Sequence, residues 1–260
     1  MIDTHCHLDQ PEFDADRAEV LARARAAGVS DVVVPAVGPE GWAALLALAR
    51  VTPGLHAGLG VHPQRLAELD PREDDRHLAD LDAALSRGGA VAVGECGLDG
   101  PSAEAGAPMD RQVAVLAGHL ALARKHGLPV MLHGWRAWEP LLALLERDGL
   151  PAGGVFHSYS APAAQVGAFA RLGLHFAFAG PLTWERAKKP LLALREVPPE
   201  RLLLETDAPD QTPRPHDGRC EPAYLADVAR AAAGALGMTV EALDALTTGN
   251  ARRLFKLAAR

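Results

Sequence analysis

Short apolar segments alternate with longer amphipathic segments along the whole chain. The apolar segments are rich in Val, Leu and Ala, a pattern typical of buried β-strands. Strands are predicted at Met1–Thr4, Asp31–Ala36, His56–Val61, Ala90–Gly94, Pro129–Leu132, Gly154–Phe156, His175–Ala179 and Arg201–Glu205. Helical periodicity predicts helices at Asp14–Ala27, Gly41–Val51, Arg76–Ser86, Met109–His126, Ala137–Asp148, Ala161–Leu172 and Lys188–Val197. Because strands and helices alternate, we expect a parallel sheet.

Eight strand–helix units of about 25–35 residues favour closure into a (β/α)₈ TIM barrel over an open, doubly wound α/β sheet. The length of 260 residues suits one such barrel. After Glu221 the pattern is helical only, at Pro222–Leu236, Val240–Leu246 and Asn250–Ala259. This predicts a C-terminal helical extension that covers the last strand and one barrel end. No linker or repeat interrupts the pattern, so residues 1–260 are predicted to form a single domain.

Composition and charge narrow the classes of function. The chain has 26 Lys and Arg against 33 Asp and Glu, a formal net charge of −7. This argues against retention on nucleic acid by bulk charge, but it leaves room for a local basic patch. The cysteines Cys6, Cys96 and Cys220 form no CxxC pair, and we expect buried thiols in a reducing compartment. With no signal pattern and no membrane-spanning apolar run, we expect a cytoplasmic protein without membrane contact or an obligate protein partner.

Six polar side chains lie at or just after the ends of predicted strands, where a barrel of this type builds its active site. They are His5, His7, Glu95, His133, His157 and Asp207. Neutral imidazole and carboxylate are the usual ligands of catalytic divalent metals. Six ligands are more than one ion needs, so we expect two ions bridged by a shared carboxylate. The pattern therefore predicts a metal-dependent hydrolase.

The positions of these side chains suggest a role for several of them. His5 and His7 are two residues apart on a strand, so both project to the same face. Glu95 lies between glycines, and its two oxygens could bridge two cations. Asp207 ends the last strand, across the barrel seam from the first, and could both bind a metal and accept a proton from the attacking water.

Further residues near the predicted barrel mouth are candidates for contacting substrate or for orienting the metal ligands. His62 is expected to contact substrate or support a ligand rather than to bind metal. Asp99 could orient a ligand histidine or cap a loop, and Glu205 is expected behind Asp207. The loop Asp207–Cys220, with three prolines, is expected to line the substrate mouth. Phosphate contacts are possible at Arg136, Arg214, His216 and Arg219, with solvated charges as the alternative. Stacking surfaces are possible at Trp135, Trp138, Tyr159 and Trp184, with core packing as the alternative.

Several motifs together resemble the TatD family of metal-dependent deoxyribonucleases, within the amidohydrolase-like superfamily. They include Ile2–Asp9, the GVHP at Gly60–Pro63, the GECGLD at Gly94–Asp99, His157–Ser160 and Leu203–Pro209. The resemblance implies one metal held by His5, His7 and Asp207, a second by His133 and His157, and Glu95 as the bridge. It also implies Mg²⁺- or Mn²⁺-dependent exonuclease action on DNA, with Asp207 as general base, although the ligands would equally suit Zn²⁺ or Fe²⁺.

The chain departs from the family pattern near the expected substrate site. Much of the family has His-Ser-Arg after the fifth strand, whereas this chain has His133-Gly134-Trp135-Arg136. Gly100 replaces a frequent aromatic residue, and Cys220 a frequent asparagine. Two other kinds of function therefore stay open. The first is a different hydrolase on the same dinuclear site: a small-molecule amidohydrolase or lactonase, or an aminoacyl-tRNA ester hydrolase. The second is a non-catalytic barrel that serves as a scaffold or binding module. Many dinuclear members of the wider superfamily bridge their two metals with a carboxylated lysine. Here no lysine ends a predicted strand, and Glu95 occupies the end of the fourth, which favours the TatD-like branch.

Overall fold

Eight parallel strands follow one another in chain order around the sheet, as predicted. The computed structural model describes residues 1–150 and 152–258. The strands are β1 Ile2–Asp3, β2 Asp31–Pro35, β3 Leu55–Leu59, β4 Ala90–Asp99, β5 Val130–Trp135, β6 Gly154–Phe156, β7 Leu174–Phe178 and β8 Leu202–Leu204. The helices are α1 Arg17–Ala26, α2 Trp42–Val51, α3 Asp74–Ser86, α4 Gly100–Glu104, α5 Met109–His126, α6 Trp138–Asp148, α7 Val166–Arg171, α8 Lys188–Glu196, α9 Leu225–Leu236 and α10 Val240–Phe255.

Backbone hydrogen bonds join the first and last strands and close the barrel. Thr4 N donates to Leu204 O at 3.2 Å, and Asp207 N donates to His5 O at 2.8 Å. The predicted (β/α)₈ TIM barrel is therefore confirmed. The closure also brings the end of β1 beside the end of β8, so residues about two hundred positions apart in sequence share one edge of the barrel mouth.

The barrel interior is a packed apolar core. Alternate strand residues point inward, among them Val33, Ala92, Met131, Val155, Ala177 and Leu203, and all six are fully buried. Ala251, Leu254 and Phe255 of α10 pack into the same cluster and cover the end of the barrel opposite the strand carboxyl ends. This position agrees with the C-terminal extension that was predicted to cover one barrel end.

Strands β4 and β5 extend further than predicted. β4 continues past Gly94 to Asp99, and β5 continues past Leu132 to Trp135. The two strands stay paired from Cys96 opposite Leu132 to Asp99 opposite Trp135. The prediction ended both strands where polar residues and glycines begin. Those residues remain in the sheet because the glycines Gly94 and Gly97 let the two strands approach closely enough to stay paired.

The predicted break in the C-terminal helices is wrong. Residues 240–255 form the single helix α10, whereas two helices were predicted on either side of residues 247–249. The Thr247 hydroxyl donates to Leu243 O within the helix, and buried Asn250 donates to Pro199 O and Leu202 O at 2.8 Å. These bonds satisfy the polar side chains of Thr247 and Asn250 inside the continuous helix. Ala259, the predicted end of the last helix, lies outside the described residues.

Cys6, Cys96 and Cys220 are all buried, free thiols. Among the described residues, none of the helices combines the length and apolar character needed to span a bilayer.

Candidate metal centre

The two oxygens of Glu95 face two different groups of ligand atoms. Glu95 Oε2 lies 3.2 Å from His5 Nε2 and 3.5 Å from His7 Nε2. Asp207 Oδ1 completes this first group, 3.6 Å from His5 Nε2 and 3.7 Å from His7 Nε2. The first group therefore combines two imidazoles from the β1 end, one carboxylate from β4 and one from the β8 end.

Glu95 Oε1 faces the second group, which consists of three imidazoles. His157 Nε2 lies 2.8 Å from it, His62 Nε2 lies 3.1 Å from it, and His133 Nδ1 lies 3.2 Å from it. His62 was expected to contact substrate or to support a ligand. The structure instead places it among the ligand atoms, because the turn after β3 directs its ring at Glu95.

The donor set fits divalent cations. Glu95 is 1% exposed, and its two oxygens face imidazole nitrogens at 2.8–3.5 Å without a hydrogen bond of regular geometry. A buried carboxylate is costly unless a positive charge compensates it. Ligand atoms about 2.0–2.2 Å from one ion lie roughly 3–3.5 Å from each other, close to the distances around Glu95. We take the first group and the second group as the residues that would hold two ions, with Glu95 shared.

Two carboxylates face the ring nitrogens of His133 and His157 that point away from Glu95. Asp99 Oδ2 lies 3.0 Å from His133 Nε2, and Glu205 Oε1 lies 3.5 Å from His157 Nδ1. Such carboxylate–histidine pairs fix the tautomer and orientation of metal ligands. Asp99 is itself fixed, because its Oδ1 accepts hydrogen bonds from the Ser102 backbone at 2.8 Å and the Ser102 hydroxyl at 2.7 Å. The supporting roles suggested for Asp99 and Glu205 thus have matching geometry.

The glycines beside Glu95 allow β4 and β5 to approach closely. A Cβ on Gly94 would lie 2.4 Å from Met131 O, and a Cβ on Gly97 would lie 2.0 Å from His133 O. Both glycines also have positive φ, 134° and 154°. Between Val93 and Cys96 the register with β5 shifts, so β4 carries an extra residue there. This bulge-like shift places the Glu95 side chain in the mouth.

Protonation states in the centre follow from burial and mutual charge. Burial lowers the pKa of His5, His7 and His62, which keeps these imidazoles neutral and able to bind a cation. Burial opposes protonation of His133 and His157 too, but nearby carboxylates outweigh it and raise the pKa of both rings. Burial raises the pKa of Asp207 to about 7, with Glu205 and Glu95 adding to the effect.

Asp207 is held in place by a residue that the sequence did not single out. The Gln211 side-chain amide donates to Asp207 Oδ2, and its carbonyl accepts from the Ser158 hydroxyl at 3.0 Å. Gln211 belongs to the 207–220 loop predicted to line the mouth, and it does line the cavity. Gln64 was also missed, and it donates to Asp99 Oδ2 at 3.3 Å. Lone glutamines in loops carry no sequence signal for such a role.

The metal-ligand groups lie in a cavity of about 840 Å³. Its lining includes Gln10, Glu12, Arg65, Trp135, Arg136, Trp138, Tyr159, Trp184, Lys189 and Asp210. Arg136 therefore reaches the cavity, as suggested, whereas Arg214 and His216 do not belong to its lining. Arg214 pairs with Asp217 at 2.8 Å, and His216 Nε2 lies 2.9 Å from Asp227 Oδ2. Arg219 contacts Asp16 at 2.7 Å. The Arg214 contact lies within the 207–220 loop, whereas the contacts of His216 and Arg219 attach the loop to neighbouring segments.

The four suggested stacking residues divide into two kinds. Trp135 is 41% exposed and Trp184 46% exposed, and both line the cavity. Tyr159 is 3% exposed and packs edge-on against Phe156 and Phe176. Trp138 is partly buried, and its indole N–H lies 3.3 Å from Gly134 O. Trp135 and Trp184 are therefore the two with a large exposed surface in the cavity.

Comparison with known proteins shows to which family the chain belongs. The sequence matches the family described as TatD related DNase over residues 2–256. It is 34% identical to YabD of Bacillus subtilis (strain 168), an uncharacterized metal-dependent hydrolase, over 99% of both chains. It is 37% identical to the 3'-5' ssDNA/RNA exonuclease TatD of Edwardsiella piscicida, over 99% of this chain and 100% of that protein.

The fold agrees equally closely with a solved structure. The crystal structure of YjjV, a TatD homologue from Escherichia coli K12, superposes with a TM-score of 0.92 at 36% identity. The superposition covers 99% of this chain and 98% of that one. Because the family match runs almost from end to end and includes the barrel, the chain belongs to the TatD family of metal-dependent hydrolases.

Proposed function

We propose that the protein is a divalent-metal-dependent phosphodiesterase that removes nucleotides from the ends of DNA. The observation that carries this proposal is the position of Glu95 between the first and the second ligand groups, at the floor of an open cavity. A carboxylate shared by two ions is the arrangement that two-metal hydrolases use to stabilise both the attacking and the leaving oxygen.

The residues around the metal centre would have different roles in hydrolysis. Bound divalent cations supply Lewis-acid polarisation of a phosphoryl oxygen and activation of water at neutral pH. Asp207 would accept the proton of the attacking water, while Gln211 holds its carboxylate in place. Asp99 and Glu205 would keep His133 and His157 in their binding orientation. In the metal-free protein the pKa of Asp207 is about 7, and cations beside it would lower that value again.

The cavity rim supports a phosphodiester substrate. Arg136 and Lys189 line the cavity, and neither forms an ion pair with a carboxylate in the described part of the chain. Cations of this kind suit the phosphates that flank a scissile bond. The named activity of the Edwardsiella piscicida relative, a 3'-5' ssDNA/RNA exonuclease, points the same way. The free, buried thiols support our expectation of a cytoplasmic location.

The test is product mapping on end-labelled single-stranded DNA. Metal-stripped protein receives Mg²⁺, Mn²⁺ or Zn²⁺ in turn, and Asp207→Asn runs beside it as the control for contaminating nuclease. We expect metal-dependent shortening from one end, abolished by Asp207→Asn. Metal analysis of the same samples should give two ions per chain. Loaded protein that cleaves no DNA would overturn the proposal and redirect the search to amide, lactone and aminoacyl-ester substrates.

A further inference from the structure

Two tryptophans stand out among the exposed apolar side chains. In the described residues, the large hydrophobic side chains with substantial exposure are Val51, Trp135, Trp184 and Leu192. Both tryptophans line the cavity above the ligand groups, whereas Val51 and Leu192 do not. Exposing an indole face to water forgoes the favourable burial of its apolar area. Two such faces at one cavity mouth therefore indicate a ligand with flat, apolar surfaces.

Both rings make contacts with neighbouring residues that leave them substantially exposed. The Trp184 indole N–H donates to Thr212 O at 3.0 Å, which ties the ring to the 207–220 loop. Trp135 is the last residue of β5 and pairs in register with Asp99 of β4. The Arg136 guanidinium lies over the Trp135 ring, 5.5 Å from its centre, and the Trp135 side chain is still 41% exposed. Rings that are held before binding lose little conformational entropy when a ligand stacks on them.

The same side of the mouth carries unpaired positive charge. Trp135 ends β5, Arg136 follows it, Trp184 comes after β7, and Lys189 lies in the first turn of α8. Strands β5 and β7 both pair with β6, and the ends of β5 and β6 supply His133 and His157 of the second ligand group. A ligand on this side meets aromatic faces and cations together, next to the metal-binding residues. Among common biological ligands, nucleotides combine flat bases with phosphates in this way.

We propose that Trp135 and Trp184 form a stacking subsite for unpaired bases at the end of a nucleic-acid strand, with Arg136 and Lys189 contacting the flanking phosphates. A base inside a duplex already has both faces stacked, so the subsite favours single-stranded ends. The cleavage that follows rests on the proposed function, whereas binding at the subsite does not require it.

Binding is measured on metal-loaded protein with a labelled single-stranded decamer whose phosphorothioate linkages resist cleavage. Base–aromatic stacking is worth about 1–3 kcal/mol per base, so Trp135→Ala and Trp184→Ala should each raise Kd on the order of tenfold. Trp135→Phe and Trp184→Phe keep a stacking face and should stay near the wild-type Kd. Leu192→Ala removes an exposed apolar side chain outside the cavity and serves as the matched control.

A second ligand separates stacking from a general loss of structure. The decamer with abasic sites at both ends lacks the terminal bases, and we expect the alanine variants and the wild type to bind it equally. On cleavable single-stranded DNA, the alanine variants should show a raised KM with little change in kcat. Metal content and thermal unfolding of each variant should match the wild type.

The outcomes distinguish this inference from the proposed function. Cleavage by the wild type, with unchanged Kd and KM in both alanine variants, would overturn the subsite and leave the nuclease intact. Weaker binding in both alanine variants, without cleavage by any loaded wild-type sample, would support the subsite and overturn the nuclease. An equal loss of affinity for the normal and the abasic decamer would also overturn base stacking.

Discussion

The Oδ2 atom of Asp99 lies 3.0 Å from Nε2 of His133, while Nδ1 of the same ring faces Glu95. Asp99→Asn should keep the Oδ1 hydrogen bonds to Ser102 but remove the charge that orients the ring. We expect a loss of metal affinity of about 10–100-fold, as is common when the residue behind a ligand histidine changes. Titration of metal-stripped protein against a competing chelator measures this affinity.

The exposed Asp75 on α3 provides the matched control for that experiment. Asp75→Asn makes the same chemical change far from the centre and should leave metal affinity unchanged. If Asp99→Asn bound both ions as tightly as the wild type, the proposed supporting role of Asp99 would be wrong.

Metal binding should stabilise the fold through Glu95. A ligand present at about a hundred times its Kd adds about 2.7 kcal/mol to the free energy of unfolding. For a chain of this size, this corresponds to a rise in Tm of roughly 5–10 °C. Differential scanning calorimetry with and without a chelator measures the rise. Glu95→Gln removes the shared carboxylate charge, so we expect its Tm not to respond to the metal. A full response in this variant would contradict the bridging role.

His119 should make stability depend on pH below neutrality. Its ring is fully buried in α5, Val61 N donates to its Nε2 at 3.0 Å, and its Nδ1 lies 2.8 Å from Val115 O. Burial lowers the pKa of His119 to about 4 from its ordinary 6.5. The unfolded chain therefore binds a proton first as the pH falls. The contribution of the neutral His119 ring to the free energy of unfolding is complete above pH 6.5. It is lost progressively towards pH 4, by about 1.4 kcal/mol per pH unit.

Urea unfolding of the wild type and His119→Gln across this pH range isolates the contribution, because the other titrating groups are common to both proteins. The difference between the two unfolding free energies should shrink as the pH falls from 6.5 to 4. A difference that stays constant over the whole range would show that His119 is not the group responsible.

Arg23 should stabilise the attachment of α1 to the segment before α9. Its guanidinium contacts both oxygens of Glu221, at 2.6–3.0 Å, and Glu221 is 6% exposed. Arg23→Ala would leave this buried carboxylate without its partner, and half of Arg23 is already in solvent. We expect a loss of about 1–2 kcal/mol, measured by urea unfolding. Arg72→Ala removes a fully solvated partner of Asp70 and should leave stability unchanged.

The strand–helix order and the positions of the six predicted ligands could be inferred from sequence for one physical reason. Interior strands of a parallel barrel are buried on both faces, so they appear as continuous apolar runs. A polar residue at the end of such a run has little freedom in where it points. His5, Glu95 and His157 therefore lie together in the structure although far apart in sequence.

Other features depend on tertiary contacts that leave no local pattern. The place of His62 among the ligand atoms follows from the turn after β3, which periodicity does not describe. The length of β4 follows from the close approach of β5 at Gly94 and Gly97. Arg214 and His216 are of residue types that often contact phosphates. In the structure they instead contact Asp217 and Asp227, outside the cavity.

The seam between β1 and β8 ties enzyme activity to translation. His5 and His7 are translated about two hundred residues before their partner Asp207. A nascent or truncated chain without the last strand carries the histidines but not the carboxylate that completes their group. Tight metal binding, and the hydrolysis that depends on it, would thus begin only after the last strand has been translated and has closed the barrel against the first.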